Sequence, residues 1–181
     1  ERLMMIVEGA IAVKACIQGG KRAVYKVYID KAKRTKDFNY IRRLCANNNI
    51  IIEELERSSF EEFNVGKTFG GIVAEVGERR SDELGNGDAF YIDGIEDPFN
   101  IGYMLRTIYA LGVSNVILKA RDYSKLDAQI IKSSAGAYEL LNIKYVDDDY
   151  EYLKSLKKGY HLYSLYRGDD SKDIFKVKFD S

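Results

Sequence analysis

Asp93-Gly94-Ile95-Glu96-Asp97-Pro98-Phe99-Asn100-Ile101-Gly102-Tyr103-Met104-Leu105-Arg106-Thr107 is the stretch that decides the fold. It follows the apolar run Ala89-Phe90-Tyr91-Ile92, which reads as a buried strand. Beyond the loop, apolar residues fall at Ile101, Met104, Leu105, Ile108 and Leu111, the steps of three and four that keep one helix face dry. Pro98, the only proline, suits a loop or a first helical turn because it lacks an N–H and fixes φ. Gly112 is placed to end the helix, and Asn115-Val116-Ile117-Leu118 gives the next strand. The unit is strand–loop–helix–strand, with the two strands expected to pair in parallel. Asn100, Tyr103 and Arg106 form a polar row off the main apolar stripe. A row at the carboxyl end of a strand is where open α/β sheets place ligand contacts. The alternative reading is a capping Asn and a solvated Arg.

The residues before this unit alternate between helix and strand. The spacing of Ile6, Ala10, Val13, Ala15 and Ile17 predicts a helix over 4–19, stopped by Gly19-Gly20. Residues 23–29 read as a strand rich in β-branched and aromatic side chains. A loop over 30–36 then carries Lys31, Lys33, Arg34 and Lys36. Phe38, Ile41, Leu44 and Cys45 mark a second helix ending at Asn47-Asn48-Asn49. Ile50-Ile51-Ile52 is a short strand, and a short helix follows, opened by Ser58 or Ser59 with an acid behind it. Residues 70–76 return to strand. Together, 1–77 describe a small α/β sandwich. Residues 78–88 are polar and glycine-bearing and read as a linker. Gly85 and Gly87 do not make a phosphate loop, because no helix opening on Lys-Ser or Lys-Thr follows them.

After the opening unit comes a helix over 126–133 with Ile130 and Ile131 inward. The small run Ser134-Ala135-Gly136-Ala137 permits close approach by backbone or ligand, or tight helix packing. Residues 140–143 read as a strand. Asp147-Asp148-Asp149 caps a helix running to Leu156, where Lys157 and Lys158 favour its carboxyl end; three adjacent acids do not converge on a metal. Residues 160–166, with the single histidine His161, read as a further strand.

Bulk properties narrow the function classes. No apolar run approaches the roughly 20 residues of a membrane span. Cys16 and Cys45 lack paired spacing and read as buried free thiols, which suits a reducing cytoplasm. One histidine excludes a histidine-rich metal site, and no metal is called for. The net charge of zero hides an asymmetry. Residues 1–80 hold 15 Lys and Arg against 11 Asp and Glu, a net of +4, and residues 81–181 hold 13 against 17, a net of −4. A basic front half suits a polyanionic partner.

Asp97, Pro98, Asn100, Gly102 and Arg106 complete an Asp-Pro-x-Asn-x-Gly-x-x-x-Arg pattern, and Tyr109-Ala110-Leu111-Gly112-Val113 follows. This stretch resembles the first signature motif of the SPOUT-class (SpoU-type, TrmH-like) RNA ribose 2′-O-methyltransferases. Ser133-Ser134-Ala135-Gly136-Ala137 is similar to a second motif of that class, and Gly9, Val13 and Gly70-Gly71-Ile72-Val73-Ala74 resemble its ribosomal-protein-like substrate-binding domain. The resemblance implies three parts: an RNA-binding domain over 1–77, a linker over 78–88, and the N-terminal part of a parallel-sheet SPOUT domain over 89–181, ending before most of its cofactor-holding knot. It implies transfer of a methyl group from S-adenosylmethionine to a ribose 2′-hydroxyl of rRNA or tRNA by a cytoplasmic homodimer. Arg106 and Asn100 would serve catalysis, and Ser164, Leu165 and Tyr166 would touch the cofactor. Lys14, Lys21, Arg22, Lys31, Lys33, Arg34 and Lys36 are candidate RNA contacts. An arginine keeps its proton, so Arg106 suits a charge that orients a phosphate and stabilises a forming alkoxide better than a base. The competing reading is a non-catalytic RNA-binding protein on the same scaffold. A generic nucleotide enzyme lacks its Gly-x-Gly-x-x-Gly fingerprint here.

Overall fold

A computed structural model describes residues 4–67 and 69–179. The chain begins with strand β1 (Met5–Glu8), then α1 (Ala10–Gly19), β2 (Val24–Asp30), α2 (Lys36–Asn47), β3 (Ile51–Leu55), a 3₁₀ helix (Arg57–Phe63) and β4 (Ile72–Val76). These strands form one sheet in the order β1-β4-β2-β3, antiparallel except for the β2–β3 pair. Alternation along β4 serves two layers. Ile72, Ala74 and Val76 join the helices' core with Val13, Cys16, Val27, Ile29 and Ile41, while Val73 faces Phe60 and Phe69 beneath the 3₁₀ helix. The result is the small sandwich expected from the sequence.

The opening residues correct one expectation. Residues 5–8 are strand β1, and the helix starts only after Gly9, which has φ 93°. Val7 is buried against the sheet, while Ile6 packs on the opposite side with Phe63 and Val65. The apolar residues of a strand and of the next helix had merged into one apparent helical pattern.

The second sheet is β5 (Ala89–Ile92), β6 (Asn115–Lys119) and β7 (Asn142–Val146), all parallel in that order. Helices α3 (Pro98–Ala110), α4 (Asp127–Ser133), α5 (Ala137–Leu140) and α6 (Asp149–Leu156) connect and follow the strands. Residues 137–140 are thus helical, with the strand beginning only at Asn142. Gly112 has φ 83° just past α3, as a helix stop requires. Asp148 caps α6 by accepting from the Glu151 amide at 3.0 Å, so the acid cluster works as a helix start. No strand forms over 160–166; the stretch has no regular secondary structure, Tyr160 is half-buried and 161–166 are exposed, with Leu165 and Tyr166 72% and 55% accessible.

Residues 77–88 contain no helix or strand, yet they are tightly held. The Asp82 amide donates to the Ile143 carbonyl, and its carboxylate accepts from the Ile143 amide at 2.9 Å and from Lys21. Arg79 is buried and donates to the Tyr138 and Leu141 carbonyls. The segment therefore runs clamped along the β7 edge. One apolar core continues across both sheets, from Val13 and Cys16 of α1 to Ile101, Leu105, Ile130 and Leu141.

Candidate active site

The loop after β5 and the first turns of α3 sort the signature residues by task. Asp97 is the N-cap; its side chain accepts from the Asn100 amide at 2.9 Å. Pro98 occupies the first turn, where its missing N–H costs nothing. Gly102 is buried where α3 crosses α4; a β-carbon there would sit 1.8 Å from the Ser133 hydroxyl. Ser133 donates back to the Pro98 carbonyl at 3.2 Å. Three of the five signature residues thus build the helix and seat it. The other two, Asn100 and Arg106, point to solvent, and neither side chain hydrogen-bonds or ion-pairs with another described residue. Tyr103, 56% exposed, lies between them on the same outer face.

The loop itself is braced. The Tyr91 hydroxyl donates to Asp149 at 2.6 Å and to Asp93, and burial together with these acids pushes its pKa above the usual tyrosine range. Arg121, in the loop after β6, donates to the Glu96 carbonyl at 3.0 Å and stacks over Tyr123. Nothing in the sequence pattern marks Arg121, whose role depends on the register of two parallel strands. The second motif serves packing. Ala135 and Gly136 turn the chain with φ of 50° and 85°, and a β-carbon on Gly136 would meet Ala15 of α1 at 2.6 Å. Of the two readings of that run, tight helix packing describes what is built.

Lys21 and Arg22 need correction as RNA contacts. Arg22 is buried with no side-chain exposure, donating to Glu139 at 2.8 Å and to Asp127 at 2.9 Å, both in the second sheet's helices. Burial disfavours its charge, but the two carboxylates outweigh that and hold its pKa above the ordinary arginine value. Lys21 binds Asp82 and Asn142, both at 2.9 Å. These two cations fasten the halves of the chain together. Asp127 also accepts from the Tyr138 hydroxyl at 2.8 Å, and Tyr138 meets the Tyr145 hydroxyl at 2.6 Å. Burial raises the Tyr145 pKa to about 12, so both tyrosines stay neutral and hydrogen-bonded.

The remaining cations stay on the first sandwich. Lys14 lies half-buried on α1, and Lys31, Arg34 and Lys36 are exposed around the β2–α2 loop with Lys33 half-buried among them. Edge strand β3 faces this loop with acids. Glu54 accepts from Arg42 at 2.7 Å and from Arg34, and Glu56 pairs with Lys31. These exposed pairs are weak and open readily to a competing anion. Ser164, Leu165 and Tyr166 lie together in the exposed 161–166 stretch. A nucleoside needs a concave, mostly apolar enclosure. As arranged, these three exposed residues do not form a seat for S-adenosylmethionine.

Residues 89–181 match the family described as SpoU rRNA methylases, and residues 6–81 match the RNA 2′-O ribose methyltransferase substrate-binding domain. The chain belongs to the SpoU rRNA methylase family. A protein of Staphylococcus saprophyticus assigned to the TrmH family of tRNA/rRNA methyltransferases is 26% identical over 172 residues, covering 87% of this chain and 68% of its own length. The mitochondrial rRNA methyltransferase 1 of Schizosaccharomyces pombe is 28% identical over 151 residues, covering 76% and 50%. The crystal structure of the SpoU methyltransferase AviRb from Streptomyces viridochromogenes, in complex with the cofactor AdoMet, superposes with a TM-score of 0.63 at 20% identity. That likeness covers 86% of this chain and 60% of AviRb and speaks for the fold. The chain spans about three fifths of the length of such solved structures.

Proposed function

We propose that this chain supplies the RNA-gripping domain and the ribose-orienting half of the active site of an enzyme that transfers a methyl group from S-adenosylmethionine to a ribose 2′-hydroxyl of rRNA or tRNA. The observation that carries the reading is the division of labour in the signature: Asp97, Pro98 and Gly102 are consumed by folding, while the Asn100 and Arg106 side chains are left exposed beyond the end of β5 with no hydrogen-bond or ion-pair partner among the described residues. The names borne by the relatives support RNA as substrate, and the AdoMet complex of AviRb supports the methyl donor. Arg106 holds a phosphate next to the target nucleotide and places positive charge beside the 2′-oxygen as it loses its proton. Asn100 fixes the ribose by its amide. Their value lies in orientation, which keeps the hydroxyl in line for attack.

The loop cations Lys31, Lys33, Arg34 and Lys36, with Lys14, make the phosphate contacts of the first domain, and binding weakens as salt rises. The exposed apolar side chains Tyr103, Met104 and Tyr109 on α3, with Leu111 just past its end, support assembly as a homodimer. Free, buried Cys16 and Cys45 support a reducing compartment, the cytoplasm. The exposed 161–166 stretch favours one second reading, an RNA-binding protein without transferase activity. A methyl-transfer assay with labelled donor separates the two. Arg106→Ala is expected to cut turnover by about 10²- to 10³-fold, in line with loss of one charge-stabilising donor, with a melting temperature little changed because the exposed Arg106 side chain makes no hydrogen bond or ion pair with a described residue. Normal turnover by that variant would sink the assignment, and absence of transfer by the unaltered protein would favour the second reading.

A further inference from the structure

The two domains meet along β1 and α4. At one end Arg22, which also touches the Met5 sulfur at 3.2 Å, binds Asp127, the first residue of α4. At the other, Glu8 ends β1 and accepts from Lys132 near the end of α4 at 3.3 Å. Glu8 also accepts from the Gly66 amide at 2.9 Å, drawing in the turn that follows the 3₁₀ helix. Between these parts lies a cleft of about 370 Å³, lined from the first domain by Phe63 and Asn64 and from the second by Phe99 and Gln129. Pinned at both ends, it exists before any ligand arrives, so little ordering cost attaches to filling it.

Its chemistry is specific. Phe63 and Phe99 contribute aromatic surface, one ring from each domain, and Phe99 is 48% exposed. The side-chain amides of Asn64 and Gln129 have no hydrogen-bond partner among the described residues and offer both donor and acceptor. Glu8 and Lys132 also line it and pair with each other at 3.3 Å, so the cleft carries no net charge. A flat, neutral ring with hydrogen-bonding edges fits this set of two aromatic rings, two amides and a neutralised ion pair. The place is also telling. Phe99 directly precedes Asn100, and Phe99, Tyr103 and Arg106 follow at i, i+4 and i+7, a single helix stripe. Seven residues at 1.5 Å each put Arg106 roughly 10 Å along the axis from Phe99.

We propose that this inter-domain cleft seats one unpaired nucleobase of the RNA substrate, next to the ribose served by Asn100 and Arg106. The inference rests on the RNA-methyltransferase reading and adds to it a base-recognition site that needs both domains. A base stacked on Phe63 and Phe99 is read at its edge by Asn64 and Gln129, as unstacked RNA bases commonly are. The site thereby selects a nucleotide as well as a shape.

The test uses hairpin RNAs carrying one 2-aminopurine, moved through the loop position by position, titrated with the full chain. Fluorescence quenching is expected at one loop position and little elsewhere. Phe99→Leu, a half-exposed site, is expected to abolish that quench and weaken binding about tenfold, a usual effect of removing one stacked base. Gln129→Ala, also exposed, is expected to keep the quench but relax preference for the base at that position. Both variants should melt like the unaltered protein. Salt-sensitive binding with no position-specific quench, or affinities within twofold for both variants, would overturn the base site and leave RNA binding standing. No binding to any hairpin would overturn the base site and the RNA reading together.

Discussion

A β-carbon at residue 102 would come within 1.8 Å of the Ser133 hydroxyl and 2.9 Å of the Ser134 amide nitrogen. The hydroxyl can rotate away, but the backbone amide cannot, so α3 must lift from α4. Gly102→Ala is therefore expected to destabilise the protein by about 1–3 kcal/mol, the usual cost of overpacking. It is also expected to reduce methyl transfer more than a thermal melt would suggest, because the same helix carries Asn100 and Arg106. Comparing single-turnover rates well below the melting temperature with the melting curve itself separates the two effects. A variant that melts lower but turns over normally would show that the α3–α4 distance does not control the site. The sequence identifies Gly102 as part of a pattern; only the crossing of α3 and α4 explains why that position tolerates nothing larger.

At the level of elements, the strongest device is the join between α1–β2 and α4–α5. Arg22 neutralises two carboxylates that are almost fully buried, Glu139 and Asp127. Arg22→Met leaves both acids without their cation, and breaking a buried pair in this way costs about 3–5 kcal/mol. The double variant Arg22→Met/Glu139→Leu is expected to recover part of that loss, since it removes one stranded charge with its partner. Urea unfolding of the single and double variants measures the difference; equal stabilities would mean that the Arg22–Glu139 pair is not coupled. The sequence could not have revealed this arrangement. Arg22 stands in a run of cations beside Lys21, and its partners lie 105 and 117 residues away. The strand–loop–helix–strand unit was legible because its periodicity and its stops are local. Strand β1 was not, because Gly9 alone separates two apolar stretches of different period. Residues 160–166 carry a strand's alternation, yet a strand needs a paired neighbour, and none of the described strands pairs with them.

For the whole molecule, the question is whether two sheets make two folding units or one. A chain of two family domains joined by a polar, glycine-bearing segment suggests independent units. The packing argues against that. The segment over 77–88 is bonded along β7 through Asp82, Ser81 and Arg79. Gly19 of α1 approaches the Glu139 carbonyl so closely that a β-carbon would lie 1.9 Å from it. A single apolar core runs from Val7 and Val13 to Ile108 and Ile143. With the apolar surface of each domain partly covered by the other, neither half retains its full stabilisation alone. The protein is thus expected to unfold in one cooperative transition, with tyrosine fluorescence and far-UV circular dichroism giving the same midpoint. The chain has 14 tyrosines and no tryptophan, so the fluorescence reports on both halves at once. Arg22→Glu places a third carboxylate at the join and is expected to split the curve, with the two probes diverging as one half opens before the other. Two separated transitions in the unaltered protein would show that the halves are only loosely docked. The cleft between them would then have no fixed width, and base recognition would have to come from the RNA's own fold.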